Sequence, residues 1–166
     1  MTSDGLSWEC GPSLLLVERD FQRAWALTSW LRWHVKTVVH VASAHDALVQ
    51  MHGAAVVQTR FDGLLLDADL PDGSADQLME AFHVMHRDRP VAVMAEGSDV
   101  KLELRCEVLG IHLFHKPFVA EELGSWIELV QAAMRTGENE RVSRLQTARR
   151  RTTIHRYAAL GARQAS

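Results

Sequence analysis

The chain has 166 residues, 47% of them hydrophobic, with two cysteines and a formal net charge of −3. This length allows one well-cored globular domain with an extension, and two cysteines argue against a disulfide framework, so a reducing cytoplasm is the expected compartment. The N-terminal residues lack a signal-peptide pattern and no apolar run approaches the roughly 18 residues of a membrane span, so we expect no membrane partner.

Short apolar runs alternate with amphipathic segments from the start of the chain to about residue 134. The predicted strands are Leu14–Val17, Lys36–Val41, Asp62–Asp67, Pro90–Met94 and Ile111–His115. The predicted helices begin at Asp20, Ser43, Asp72 and Asp99, with a fifth after Pro117. Strands that are apolar throughout and separated by amphipathic helices indicate an α/β fold in which a parallel sheet is covered on both faces.

The first predicted helix carries more tryptophan than one buried face needs. Phe21, Ala24, Trp25 and Leu31 have helical spacing, and Trp30 and Trp33 follow on the same segment. Packing in the core and at its rim explains these side chains, and a partner or self-association surface is the alternative hypothesis.

Charged side chains are predicted to gather at the carboxyl edge of the sheet, where ligands bind in such folds. Glu18 ends the first strand, Asp67 ends the third, Glu96 follows the fourth and Lys116 ends the fifth. Two neighbouring carboxylates repel each other unless a divalent cation or a basic side chain compensates them. Oxygen ligands suit magnesium, and a carboxylate beside a metal and a lysine can act as a nucleophile toward phosphorus. Solvated acids at strand ends are the alternative interpretation.

The stretches LLLVERD, LLLDADLPDG, RPVAVMAEGSDV and GIHLFHKPF resemble those of response-regulator receiver domains from two-component signalling. The resemblance covers residues 13–134 and implies a flavodoxin-like (βα)5 doubly wound parallel sheet in the order 2-1-3-4-5. It implies Asp67 as phosphoacceptor and Lys116 as the lysine that contacts the phosphoryl group. It further implies that Glu18, Asp67 and the backbone carbonyl of Asp69 form a magnesium site.

Three positions depart from the family pattern. Arg19 stands where a second acid is usual, so we expect weak magnesium binding. In an alternative arrangement, its guanidinium sits among Glu18 and Asp67 as a counter-ion. Ala95 replaces a hydroxyl residue, and Leu113 replaces the aromatic switch residue of the fifth strand. Two interpretations stay open: an atypical phosphorylated receiver, which we favour, and a phosphorylation-independent pseudo-receiver that acts as a protein-interaction module.

The resemblance implies signal relay rather than enzymatic turnover. A sensor histidine kinase or phosphotransfer protein is the implied partner, and we expect a homodimer with a role in transcription regulation. A remote alternative is a haloacid-dehalogenase-type phosphatase, because LLLDADLP also resembles the first motif of that family. Against it, the motif lies on the third strand and no closely spaced acidic pair ends a later strand.

Residues 135–166 form a basic extension, with eight arginines against two glutamates. Its composition predicts a helical tail or linker after a receiver-like domain at 12–134. The tail resembles the linker helix of FixJ-type regulators, in which a DNA-binding domain follows. Without such a domain, the run Arg149–Arg151 supports only non-specific phosphate contacts, so we do not expect specific DNA binding by this chain.

Overall fold

The computed structural model describes residues 11–57, 60–73 and 75–137. The strands are β1 (Ser13–Val17), β2 (Thr37–Val41), β3 (Gly63–Asp67), β4 (Val91–Glu96) and β5 (His112–Lys116). The helices are α1 (Phe21–Leu31), α2 (Ala44–Val56), α3 (Ala75–Met85) and α4 (Val100–Leu109), and a further helix, α5, begins at residue 120. The chain divides into two units, the first ending at Ala133 and the second beginning at Met134. Helix α5 runs to the end of the first unit, and residues 134–137 of the second unit are also helical. The predictions for the tail beyond residue 137, including Arg149–Arg151, lie outside the described residues.

The five strands form one parallel sheet in the order β2-β1-β3-β4-β5. This confirms the predicted doubly wound topology. Val17 lies opposite both Val41 and Leu66, and Asp67 lies opposite Met94. The strands therefore end close together, and the residues that follow them share the carboxyl edge.

Alternation along the strands divides the core into two layers, one on each face of the sheet. Leu15, Leu64 and Leu66 pack in one layer with α2 and α3, whereas Leu14, Leu16 and Leu65 pack in the other with Trp126 of α5. A Cβ atom at Gly63 would lie 2.9 Å from Leu14 and 3.3 Å from Trp126. The absence of a side chain at this position lets α5 approach β3.

Local capping explains where three of the helices begin. The side chains of Asp20, Ser43 and Asp99 accept hydrogen bonds from backbone N–H groups in the first turns of α1, α2 and α4. Gly110 ends α4 in the left-handed conformation, with φ 66°. These caps confirm three of the predicted helix starts and the predicted stop at Gly110.

The predicted start of α3 at Asp72 is wrong. α3 begins at Ala75, and the Asp72 carboxylate instead accepts the backbone N–H groups of Ala44 and His45 at 2.8 and 3.0 Å. These bonds hold the pKa of Asp72 below its ordinary value, the N–H of His45 being the largest cause. The β3–α3 loop thus supplies a second cap to α2, whose first N–H groups have no partner within the helix.

The predicted buried face of α1 is only partly correct. Ala24 and Leu31 are buried, but Phe21 and Trp25 are 79% and 68% exposed. Because successive residues turn by about 100° around a helix, Trp25 projects to a different side from Ala24. Within the described residues, no helix is long and apolar enough to cross a bilayer.

The side chain of His86, the residue that follows α3, is buried among aromatic rings. It is 2% exposed, its ring centroid lies 4.7 Å from that of Phe82 and 5.9 Å from that of Phe61, and neither ring nitrogen has a described partner. Burial, with smaller contributions from the Arg60 and Arg89 charges, lowers the pKa of His86 below its ordinary 6.5. Burial in the folded state therefore favours the neutral form of this imidazole.

We expect His86 to make the fold sensitive to mild acid. As the pH is lowered through 6.5, His86 takes up a proton in the unfolded state but not yet in the folded state, whose pKa is lower. The free energy of unfolding therefore decreases as the pH falls from 6.5 to the pKa of the folded state. His86→Leu should flatten that dependence in urea titrations at successive pH values. His83→Leu, on the exposed side of the same helix, should leave the slope unchanged. Equal slopes in wild type and His86→Leu would contradict this account.

Candidate functional site

Glu18, Asp67 and Lys116 meet at the carboxyl edge of the sheet. Lys116 Nζ lies 2.8 Å from Asp67 Oδ1 and 3.8 Å from Glu18 Oε2. The exposed fraction of the side chain is 9% for Lys116, 4% for Asp67 and 0% for Glu18. They converge because Glu18 directly follows β1, and Asp67 and Lys116 end β3 and β5. The sequence placed these three side chains at one edge, and the structure places them in contact.

Among the described residues, Lys116 is the cation that contacts both buried carboxylates at this edge. Glu18 Oε1 accepts the backbone N–H of Asp20 at 2.9 Å, whereas Glu18 Oε2 is buried with no hydrogen-bond partner among the described atoms. Burial is the largest cause that raises the pKa of Glu18, and the Asp67 charge raises it further. The Asp20 N–H and the Lys116 charge act in the opposite direction. With both acids ionised, Lys116 supplies one positive charge to two negative ones, and the Arg23 charge interacts with Glu18 in addition.

Arg19 does not lie between Glu18 and Asp67, so the predicted counter-ion role is wrong. Arg19 Nη2 contacts Asp69 Oδ2 at 3.0 Å, and these side chains are 51% and 80% exposed. Glu18 is fully buried, whereas the chain bends at Arg19, which lies exposed in the loop between β1 and α1. The basic partner of the buried acids is Lys116.

Asp69 approaches the acceptor position through its backbone. Its N–H donates to Asp67 Oδ1 at 3.1 Å, while its carboxylate points toward Arg19. Asp67 Oδ1 therefore accepts two hydrogen bonds, one from Asp69 and one from Lys116.

Arg23 and His40 also contact this edge and were not predicted from the sequence. Arg23 Nη1 lies 2.9 Å from Glu96 Oε1, so it joins the first turn of α1 to the end of β4. His40 Nε2 lies 2.9 Å from the carbonyl oxygen of Glu18. The available signals were the position of Arg23 one turn beyond Arg19 and that of His40 near the end of β2.

The two atypical switch positions are apolar in the structure. Ala95 is 5% exposed, and its methyl group cannot donate a hydrogen bond to a phosphoryl oxygen. Leu113 packs against the layer that contains α2 and α3, whereas Phe114 is buried in the opposite layer, with its ring centroid 4.9 Å from that of Phe118. Strand alternation thus prevents Phe114 from taking the place of an aromatic residue at 113.

The acidic groups fit a divalent cation only in part. The orphaned Glu18 Oε2 beside Asp67 is a suitable oxygen donor for a hard cation. Within the described ranges, however, no group of three or more His, Cys, Asp or Glu side chains is arranged to hold a metal. A site here would combine two carboxylates with a backbone carbonyl and water.

Comparisons with known proteins agree on the fold. No family model and no curated protein matches this sequence. The non-phosphorylated HemR receiver domain from Leptospira biflexa is 27% identical with a TM-score of 0.57, the match covering 72% of this chain and 93% of that chain. The receiver domain of a sensor histidine kinase from Pseudomonas aeruginosa, described with magnesium coordinated in its active-site cleft, is 21% identical with a TM-score of 0.59, covering 75% and 98%. A structure described as adenylate cyclase from Rhodopirellula baltica is 14% identical with a TM-score of 0.69, covering 80% and 98%.

Strand order and neighbours together define a flavodoxin-like α/β domain. More particularly, the chain has the fold of response-regulator receiver domains. Further matched structures are also described as receiver domains or receiver proteins. The predicted fold and the resemblance to receiver domains are confirmed, whereas the atypical status, the linker-like tail and the site roles stay predictions.

Proposed function

We propose that this domain is a signal receiver that accepts a phosphoryl group on Asp67. The observation that carries the proposal is the contact of Lys116 Nζ with Asp67 Oδ1 at 2.8 Å, next to the buried Glu18 carboxylate. A solvated strand-end acid would be exposed and free of such a partner, whereas the Asp67 side chain is 4% exposed. The experiment that tests the proposal is intact-mass spectrometry after incubation with acetyl phosphate and magnesium.

The reaction is a phosphoryl transfer to a carboxylate. An Asp67 oxygen forms a bond to phosphorus while the bond between phosphorus and the donor breaks, and the donor atom leaves with the electron pair. Lys116 is positioned to stay with the acceptor and pair with a phosphoryl oxygen after transfer. The donor is proposed to be a phosphorylated sensor histidine kinase or phosphotransfer protein.

Magnesium is the proposed cofactor, held weakly by Glu18, Asp67 and the Asp69 carbonyl. When bound, it neutralises charge on the acids and on the incoming phosphoryl group. The matched receiver domain described with magnesium in its cleft supports this assignment. The weak affinity follows from the cation on Arg19, which stands where the family pattern has a further acid.

Arg19→Asp should raise magnesium affinity. The change removes a cation that pairs with Asp69 and adds a carboxylate in the residue after Glu18, so the net negative charge near the metal increases. Isothermal titration with magnesium should give a lower Kd than wild type. Arg87→Asp makes the same charge change in an exposed residue just after α3, away from the site, and should leave the Kd unchanged. An unchanged Kd in Arg19→Asp would refute the role given to this residue.

A second candidate function is a pseudo-receiver that signals by protein binding alone. The specific observation in its favour is that Ala95 supplies no hydroxyl and position 113 carries no aromatic ring. In that case partner binding would be the same with and without acetyl phosphate. A turnover enzyme is not proposed, and sustained hydrolysis of p-nitrophenyl phosphate would overturn the receiver function in favour of a phosphatase.

Dimerisation and transcription control complete the proposal. Val100, Leu104 and Val108 are 64%, 57% and 82% exposed and follow one another at four-residue spacing on α4. Such a stripe can pair with the same stripe of a second copy across a two-fold axis. The proposed output is homodimer formation, which would change DNA binding by a linked or separate DNA-binding domain.

A further inference from the structure

An ion pair connects two elements that flank the proposed acceptor at the carboxyl edge of the sheet. Arg23, in the first turn of α1, contacts Glu96 at the end of β4, with 2.9 Å between Nη1 and Oε1. In the strand order, β3 lies between β1, which leads into α1, and β4. The ion pair therefore spans the end of β3, whose last residue is Asp67.

Arg23 approaches this edge from the face of the sheet to which the charged strand ends project. One residue in each of β3, β4 and β5 packs in the core layer that contains Leu31 of α1, and these residues are Leu65, Met94 and Phe114. Because side chains alternate along a strand, the residues two positions further on project to the same face. Those residues are Asp67, Glu96 and Lys116. Helix α1 and the Asp67 carboxylate therefore lie on the same side of the sheet.

Arg23 lies closer to solvent than Lys116 does. The side chain of Arg23 is 40% exposed, whereas that of Lys116 is 9% exposed. Burial lowers the pKa of Arg23, but the charge of Glu18 and the contact with Glu96 raise it, so that the net shift is upward. The Arg23 charge thus acts on the buried part of the site, while its guanidinium stays on the side from which a phosphoryl donor must approach.

We propose that Arg23 is a further phosphoryl-contact residue: during transfer its guanidinium leaves Glu96 and pairs with oxygens of the phosphoryl group that moves to Asp67. The inference rests on the proposed receiver function. Glu96 is 71% exposed, and ion pairs in solvent contribute little to stability, so Arg23 exchanges this partner readily. The planar guanidinium can donate two parallel hydrogen bonds to phosphoryl oxygens.

This role supplies stabilisation that the atypical positions of the site do not give. Ala95 offers no hydroxyl to a phosphoryl oxygen, and the Arg19 guanidinium is already paired with Asp69 at 3.0 Å. A cation positioned where negative charge develops stabilises the transition state of the transfer. Arg23 should therefore act on the rate of labelling, while Lys116 keeps its contact with the acceptor after transfer.

Initial rates of labelling by acetyl phosphate and magnesium test this role in the full chain. Arg23→Gln should lower the initial rate about tenfold, the effect expected for one hydrogen bond to a charged group. Arg23→Lys keeps the charge and should recover part of the rate. Glu96→Gln removes the partner that competes for Arg23 and should raise the rate. An ion pair with a structural role alone would give equal losses in Arg23→Gln and Glu96→Gln, and that result would overturn the proposal.

Arg105→Gln is the matched control. The Arg105 side chain is 39% exposed and joins α4 to Asp76 and Glu80 of α3, so the variant removes a similar surface ion pair and should leave the rate unchanged. Labelling of Asp67 in the wild type at a rate that Arg23→Gln does not change would overturn the role of Arg23 and leave the receiver function standing. A wild-type chain that takes no label would overturn both.

Discussion

Asp67→Asn is expected to abolish covalent labelling by acetyl phosphate in the presence of magnesium. The amide oxygen carries no full negative charge and is a poor nucleophile toward phosphorus, so the transfer step loses its acceptor. In intact-mass spectra the wild-type chain should gain the mass of one phosphoryl group, and the variant should gain none. The fold should be retained, because the carbonyl oxygen of the introduced amide can still accept the Asp69 and Lys116 hydrogen bonds made by Asp67 Oδ1.

The matched control is Asp69→Asn, two residues away. Its carboxylate is 80% exposed and contacts Arg19 rather than Lys116, and its proposed role uses only the backbone carbonyl. Labelling at Asp67 should therefore persist in this variant. Labelling that survives Asp67→Asn would place the acceptor elsewhere, and a wild-type chain that takes no label while binding its partner would favour the pseudo-receiver.

The fold could be predicted because its signals are local and repeated. The buried runs Leu14–Val17 and Gly63–Asp67 are apolar at nearly every position, as strands covered on both faces must be. Helix starts at Ser43 and Asp99 follow from capping by a side chain within three residues. The convergence of Glu18, Asp67 and Lys116 then follows from the rule that parallel strands end at one edge.

Two incorrect predictions, those for Asp72 and Arg19, depend on contacts between distant parts of the chain. Asp72 has the residue type and the turn context of a helix start, but its carboxylate lies over the N-terminus of α2. The assignment of Arg19 to the buried acids failed because the chain bends at Arg19, whose exposed guanidinium contacts Asp69, 50 residues away. Lys116, 49 residues from Asp67, neutralises part of the site instead. A local sequence pattern does not show which cation contacts a buried acid in the folded chain.

The departures from the receiver pattern have a shared consequence for how the site could switch. Ala95 removes the hydroxyl that would follow the phosphoryl group, and Phe114 is packed in the layer opposite to Leu113. A phosphoryl group on Asp67 would therefore act mainly through Lys116, whose contact with the acceptor exists before transfer. A change in state requires different contacts in the two states, and the Lys116 ammonium is the charged group that both would share.

Lys116→Met is expected to cause the largest loss of stability among the site variants. The thioether side chain has similar length but no charge, so the nearly buried Asp67 and Glu18 carboxylates lose their cation. Removing one partner from a buried ion pair costs about 3–5 kcal/mol, because the remaining charge is desolvated without compensation. Urea denaturation at neutral pH should show this decrease in the free energy of unfolding, and acetyl-phosphate labelling should fall with it.

A double-mutant cycle separates this charge effect from a loss of packing. Combining Lys116→Met with Asp67→Asn removes one of the two stranded carboxylates, so the double variant should regain much of the lost stability. Lowering the pH should also stabilise the Lys116→Met variant. The pKa of Glu18 is raised in the folded state, so its protonation contributes stability that is fully present below the ordinary pKa of 4.5. This contribution is lost as the pH rises through the higher pKa of the folded state. Additive losses, with no recovery in the double variant, would show that Lys116 stabilises the domain through packing rather than through charge. In that case the contact between Lys116 and Asp67 would no longer support the proposal that Asp67 is the phosphoacceptor.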